Sequence, residues 1–371
     1  MANLIANLVV GAGFSGATMA RLLAEAGQKV LIIDKKNHIA GNSFDYVDEN
    51  GICIHKYGSH IFHTDNEKVW AFVKRFTDFN TYAHKVVAVI DGIETTIPFN
   101  INTLHDVFSA DTAQRLEAKL LAKYGRETKV AITDFQSQDD EDLKFLADFV
   151  YRKVFAGYST KQWGQIPDKS VMARVPVFVS RDDRYFQDKY QGIPTHGYTK
   201  LVEKMLAHEN IEIRLSTDYK DVQGDFRRTF YTGSIDEFFA YKFGILPYRS
   251  VNLEFETHDC EFYQSNSVLN YPCDHDFTRI HEYKYYLNDK SDKTVIAKEY
   301  PQAFAVGKNE RYYPIAHHQN QALYEKYLRE KPENVYFLGR LGDYKYYDMD
   351  DAVECAMNLS EELNRIQEAV G

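Results

Sequence analysis

The segment Leu8-Val9-Val10-Gly11-Ala12-Gly13-Phe14-Ser15-Gly16 restricts the possible folds of this chain more than any other. An apolar run leads into glycines spaced G-x-G-x-x-G, and a helical pattern follows from about Ser15 to Ala26. Gly11 permits a tight turn, Gly13 lets the backbone approach a pyrophosphate, and Gly16 allows the helix to pack closely on the strand. The N-terminus of that helix, with free N–H groups and partial positive charge, suits a phosphate. Gly27 stops the helix as a C′ glycine does. Lys29-Val-Leu-Ile-Ile-Asp34 then reads as a second buried parallel strand, and Asp34 stands where an acid hydrogen-bonds a ribose hydroxyl. Phe14, Ser15 and Lys35 flank these positions and complete the nucleotide-facing set.

Ala40-Gly41-Asn42 follows Asp34 at the distance of the second glycine pair in FAD-binding chains, with Ala40 in place of the first glycine. That spacing favours FAD over NAD. At the other end, Val335–Leu338 reads as a strand and Met349 to Ile366 as a helix, so both ends look dinucleotide-like. Ala83–Pro98 suggests paired strands around Asp91-Gly92. Residues 103–160 look largely helical, with a polar loop near Gln136–Asp142. Val175–Val179, Val251–Phe255 and Thr294–Ala297 are strand-like. The expected architecture is α/β, a discontinuous Rossmann-like FAD-binding domain (1–80, 195–245 and 315–371). It carries an inserted helical domain (100–165) and an inserted antiparallel β-sheet domain (81–99, 166–194 and 246–314).

Composition narrows the class. A chain of 371 residues with 44% hydrophobic and 26% charged residues reads as soluble and globular. Met1 to Val10 has no basic n-region and reads as a buried strand rather than a signal peptide. No apolar run approaches the roughly 18 residues of a membrane span. Cys53, Cys260, Cys273 and Cys355 form no CxxC pair, which points to a reduced, cytoplasmic protein. A net charge of −10 argues against a nucleic-acid surface, so an anionic ligand would be held by a few local arginines.

Several longer motifs resemble the UDP-galactopyranose mutase family. They are His55-Lys-Tyr-Gly-Ser-His60-Ile-Phe-His63-Thr, Tyr151-Arg-Lys-Val-Phe155-Ala-Gly-Tyr158-Ser-Thr-Lys-Gln-Trp163-Gly and Tyr231-Thr-Gly-Ser-Ile-Asp236-Glu-Phe-Phe. Gly244-Ile-Leu-Pro-Tyr248-Arg249-Ser, Asp276-Phe-Thr-Arg279-Ile, Glu310-Arg-Tyr312-Tyr313-Pro and Gly339-Arg340-Leu-Gly-Asp-Tyr344-Lys-Tyr346-Tyr-Asp348-Met-Asp complete the set. The likeness runs through nearly the whole chain in order and is weakest at about 100–145. Two departures bear on the substrate. The loop between Trp163 and Arg174 looks a few residues short. The family's Thr-Arg-Ile-Ile-Glu-His-Lys reads Thr278-Arg279-Ile280-His281-Glu282-Tyr283-Lys284.

The resemblance implies an isomerase that contracts UDP-galactopyranose to UDP-galactofuranose, with N5 of reduced FAD attacking the anomeric carbon. NAD(P)H or another reductant would be needed only for activation. It implies a homodimer, a UDP-sugar substrate, and no nucleic-acid or membrane partner. It also assigns Arg174 and Arg279 to the pyrophosphate, Tyr185, Tyr313 and Tyr346 to hydroxyl donation, and Phe155, Tyr158 and Trp163 to the substrate's rings. Bidentate, permanently charged donors are what a leaving pyrophosphate requires. His60 and His63 lack a partner cluster for a metal, and the resemblance puts them beside the flavin; no metal site is expected. Arg340, Asp348 and Met349 match flavin contacts at a helix start. Asp111, Asp225 and Asp343 read as solvated. The alternatives are the same contraction on UDP-N-acetylgalactosamine or a dTDP-6-deoxyhexose, a redox flavoenzyme of the amine-oxidase type, and a non-catalytic flavin sensor.

Overall fold

The computed structural model describes residues 7–164 and 175–370. Two sheets organise it. The first is parallel, in the order Ile211–Arg214, Val30–Ile33, Asn7–Val10, Arg228–Tyr231, Val335–Phe337. Its strands are short and its inner ones buried along almost their whole length, because helices and loops cover both faces. The helix Phe14–Glu25 packs on this sheet, and the long terminal helix Met349–Val370 packs against it. The strand–glycine turn–helix start and the strand–helix end thus meet in one core, although more than 300 residues separate them in the chain.

Gly16 explains how closely the first helix lies on its strand. A Cβ there would fall 1.9 Å from the Gly11 carbonyl oxygen. Only glycine lets the helix start so near the turn that feeds it.

The second sheet has seven strands, ordered Tyr313–Pro314, Tyr248–His258, Thr294–Ala303, Arg279–Glu282, Val268–Asn270, Val86–Ile90, Ile93–Ile97. It is mixed rather than purely antiparallel, as the sequence suggested. Val268–Asn270 runs parallel to Val86–Ile90, with Leu269 opposite Val87, because the two are joined by a long excursion rather than a hairpin. The Ile90–Ile93 hairpin turns at Asp91-Gly92, both with positive φ, as expected for that dipeptide.

A helical layer (Ile101–Val107, Ala110–Tyr124, Ile132–Gln136, Glu141–Phe149) closes over Leu104, Leu116, Leu120, Phe135 and Leu146. The helical expectation for 103–160 misses one strand, Lys129–Ala131, which pairs antiparallel with Pro176–Phe178. That partner lies far along the chain, so nothing local signals it. Asp140 caps the next helix by accepting from Asp142 N and Leu143 N, which places a polar loop near Gln136–Asp142. Beyond Phe149 the chain widens into π-helical turns over Val150–Ala156 and returns to α-helix over Gly157–Trp163. The turn style changes across the motif that carries Phe155 and Tyr158, a common mark of a functional segment.

Replacing Gly16 with Ala must push the first helix off the sheet. The expected loss is about 1–3 kcal/mol, read as a fall of several degrees in Tm by calorimetry. An unchanged Tm would mean that the helix–strand approach is not a constraint.

Candidate active site

A cleft of about 740 Å³ runs along the carboxyl ends of the parallel strands. Gly11, Gly13, Phe14, Ser15, Asp34, Lys35, Gly41 and Asn42 line it, together with His60, Arg340, Asp348 and Met349. Gly16 stands behind the wall, as the close helix–strand packing requires. The floor is backbone on backbone. A Cβ on Gly13 would stand 3.7 Å from the Gly41 Cα, and one on Gly41 would stand 3.1 Å from the Gly13 Cα. Any side chain at either position would fill the trough. The residues therefore fit a dinucleotide, with a narrow glycine cradle at a helix start and an acid at the end of the second strand.

Asp34 braces this cradle. Its Oδ2 accepts Ala12 N–H at 2.8 Å and its Oδ1 accepts Lys36 N–H at 2.9 Å, while the carboxylate still borders the cleft. His60 also borders the cleft. Its Nδ1 lies 2.7 Å from the Gly58 carbonyl oxygen, which can only accept, so Nδ1 carries the hydrogen and Nε2 is left as an acceptor. Burial, with His55 nearby, pushes its pKa down to about 3, so the ring is neutral. Arg340 donates from Nε to the Tyr347 carbonyl at 2.8 Å, and its guanidinium lies over the rings of Tyr313 and Tyr346 at 5.3 and 5.5 Å.

Those two tyrosines carry the site from the cleft into the seven-stranded sheet. Tyr313 and Tyr346 stack at 5.5 Å, and Trp163 tilts against Tyr313 at 6.3 Å. Arg279 faces the Tyr158 ring at 5.8 Å, and Tyr185 and Tyr313 lie within electrostatic reach of it. Burial pushes the phenols of Tyr158, Tyr313 and Tyr346 above their ordinary value, so all three remain O–H donors at neutral pH. The helix motif, the sheet and the terminal segment therefore supply one cluster.

Other expected site residues lie elsewhere. His63 does not line the cleft; its ring stacks on Phe186 at 3.6 Å, with Asp188 at 3.4 Å and Asp348 at 3.9 Å. Asp348, which lines the cleft, links it to His63. Phe155 packs against the core of the helical layer. Arg174 lies outside the described residues. Asp111 and Asp225 are exposed, whereas Asp343 is half-buried and accepts the Tyr347 hydroxyl at 2.9 Å, so it is not a solvated surface acid. Asp45, Cys53 and His55 have ligand-like spacing among the described residues. However, both Asp45 oxygens are used, accepting Tyr198 N–H and Thr199 N–H, and burial pushes the Cys53 thiol far up.

Sequence reasoning missed two buried groups. His84 stacks on Phe186 and meets Tyr185 edge-on, its pKa pushed down to about 3 by burial and then by Arg279. Glu299 stands directly opposite Arg279 in the antiparallel pair, with Arg279 Nε donating to Glu299 Oε1 at 2.9 Å. An acid at an inward position of the apolar strand Thr294–Ala303 was the available signal. Burial alone would raise the Glu299 carboxyl, but the Arg279 charge and the His281 hydrogen bond outweigh it and hold it at about 2.

A family model described as UDP-galactopyranose mutase matches residues 153–346, and one for an NAD(P)-binding Rossmann-like domain matches residues 9–76. The chain is 39% identical over 366 residues to a probable UDP-galactopyranose mutase of Klebsiella pneumoniae, covering 96% of this chain and 94% of that protein. It is also 39% identical over 369 residues to dTDP-fucopyranose mutase of Escherichia coli, covering 94% and 97%. A crystal structure of reduced UDP-galactopyranose mutase superposes with a TM-score of 0.71 at 16% identity, covering 97% of this chain and 94% of that one. A putrescine oxidase superposes at 0.58 with 10% identity, covering 97% and 99%.

The Glu299 carboxyl is depressed from 4.5 in the folded protein. Its stabilising contribution is therefore complete above about pH 4.5 and disappears as the pH falls towards 2. Urea unfolding of the wild type and Glu299→Gln should show a gap at pH 6–7 that narrows by on the order of 3 kcal/mol on acidification. A gap independent of pH would mean that Glu299 is not ionised against Arg279.

Proposed function

The chain belongs to the UDP-galactopyranose mutase family of flavin-dependent nucleotide-sugar isomerases, and we propose that this member contracts UDP-galactopyranose to UDP-galactofuranose. The observation that carries the reading is the junction of the dinucleotide cleft with a cluster of Arg279 and four aromatic side chains, Tyr158, Trp163, Tyr313 and Tyr346. A flavin in the cleft and a nucleotide-sugar diphosphate against that cluster would meet at His60 and Arg340. Bound and reduced, FAD supplies a nucleophilic N5 for the anomeric carbon, and a reductant such as NAD(P)H is needed only to activate it.

This chain's residues do the rest. Gly11, Gly13, Ser15, Gly41 and Asn42 would hold the pyrophosphate of FAD, and Phe14, Asp34 and Lys35 the adjoining ribose end. His60, Arg340, Asp348 and Met349 would border its ring system, the neutral His60 offering an acceptor at Nε2. Arg279 Nε donates to Glu299. The Nη edge would then grip a departing diphosphate in bidentate fashion. Tyr158, Tyr185, Tyr313 and Tyr346 would donate hydroxyls to the same oxygens, with Arg174 as the second cation. Glu299 fixes the direction of Arg279 without titrating at working pH. The three-part domain division and the homodimer expected from the sequence belong to the same proposal.

A second substrate has a specific basis. Identity to the Escherichia coli dTDP-fucopyranose mutase equals that to the Klebsiella pneumoniae relative, so a dTDP-6-deoxyhexose is the rival sugar nucleotide. The likeness to a putrescine oxidase concerns fold alone and does not favour redox turnover.

Two experiments test this reading. Under anaerobic conditions one reduction of the flavin should support many turnovers of UDP-galactopyranose, separated chromatographically from UDP-galactofuranose, with dTDP-fucopyranose run in parallel. Consumption of one reductant per product would refute an isomerase, and preference for the dTDP-sugar would change the substrate. Arg279→Lys keeps the charge beside Glu299 but loses the fork. It should lower kcat/KM by about 10- to 100-fold, and near-normal turnover would place the diphosphate elsewhere.

A further inference from the structure

His281 bonds to two groups, one on the sheet and one on the loop that bears His60. Arg279 and His281 lie two residues apart on one strand and so face the same side of the sheet, towards Glu299 on the neighbouring strand. His281 Nε2 is 3.0 Å from Glu299 Oε2, and its Nδ1 is 2.7 Å from the Ser59 hydroxyl. The Tyr286 hydroxyl donates to Ser59 Oγ in turn. Ser59 immediately precedes His60, which lines the cleft.

Chemistry settles the direction of every bond. A carboxylate only accepts, so His281 Nε2 donates to Glu299. His281 is buried, and burial, with Arg279 nearby, keeps it below its ordinary value despite Glu299; His55 and His84, also close to it, are neutral as well. Its Nδ1 therefore accepts, and Ser59 must donate. The Ser59 oxygen is then free to accept from Tyr286. All donors point one way, towards Glu299, whose other oxygen holds Arg279.

We propose that His281 is a positioning residue that locks Arg279 and the His60 loop into one register through the chain Tyr286–Ser59–His281–Glu299–Arg279. The proposal rests on the reading of the cleft as the flavin site and of Arg279 as the diphosphate arginine. An apolar residue at 281 would fill the space but leave Glu299 Oε2 and the Ser59 hydroxyl without their partner, and the loop bearing His60 would lose its tie to the sheet. The chain thus converts a local pair on one sheet into alignment between two ligands.

The test uses the FAD-loaded enzyme as wild type, Ser59→Ala, His281→Leu, His281→Gln and the Ser59→Ala/His281→Leu double variant. Glutamine can donate to Glu299 and accept from Ser59; leucine can do neither. Small misplacements of reacting groups cost rate more than binding, so Ser59→Ala and His281→Leu should each lower kcat by about 10-fold with little change in KM. Both should alter the visible circular dichroism of the bound flavin. His281→Gln should recover most of both properties, and the double variant should match His281→Leu alone. Wild-type kcat and dichroism in Ser59→Ala, or multiplied losses in the double variant, would overturn the chain and leave His281 as packing. If His281→Leu does not fold, Ser59→Ala decides by the same criteria. If the wild type isomerises no sugar nucleotide, the proposed function fails. The dichroism of Ser59→Ala still decides the coupling: unchanged it refutes the chain, altered it supports it.

Discussion

The ion pair between Arg279 and Glu299 sets the terms for everything around it. Both groups are in a setting that penalises charge, and burial alone would push the Glu299 carboxyl up. Paired across two antiparallel strands, they hold each other in one geometry, and the second carboxylate oxygen is left for His281. The guanidinium is then directed by the sheet rather than by its own flexible stem. A flexible arginine would meet a diphosphate in many ways; this one presents a fixed edge beside Tyr158.

The cleft is organised by a different principle, the absence of side chains. Gly13 and Gly41 bring two stretches of backbone into contact, and the trough between them exists because neither carries a Cβ. Asp34 then ties the turn to the end of the second strand through Ala12 and Lys36. The glycine floor on the parallel sheet and the Arg279 cation on the mixed sheet come together where Arg340 lies over Tyr313 and Tyr346.

The shared architecture does not decide the chemistry. A putrescine oxidase superposes over nearly all of this chain at 10% identity, so the same frame serves redox enzymes. What separates this chain is the set of donors brought to the edge of the cleft. His281 and Ser59 extend the Arg279–Glu299 pair towards the His60 loop. Buried imidazoles around it, His55, His60 and His84, are all held neutral by burial, so the region contributes directed hydrogen bonds rather than titrating charge.

Local pattern determined the parts whose cause is local. The glycine turn with its strand and helix, the Asp91-Gly92 hairpin and the terminal helix could be read because φ requirements and hydrophobic period are written within a few residues. Motif likeness placed Arg279, Tyr158, Tyr313, Tyr346 and Arg340 in one family pattern, but not their distances. Tertiary structure alone decided the rest. It paired Lys129–Ala131 with a strand some 45 residues away and ran Val268–Asn270 parallel to Val86–Ile90. It turned His63 away from the cleft, packed Phe155 against the helical core, and set Glu299 opposite Arg279. The reason is one of register. A strand alternates its faces every residue, so which side chain meets which depends on the partner strand and its offset, and neither is encoded in the residues beside it.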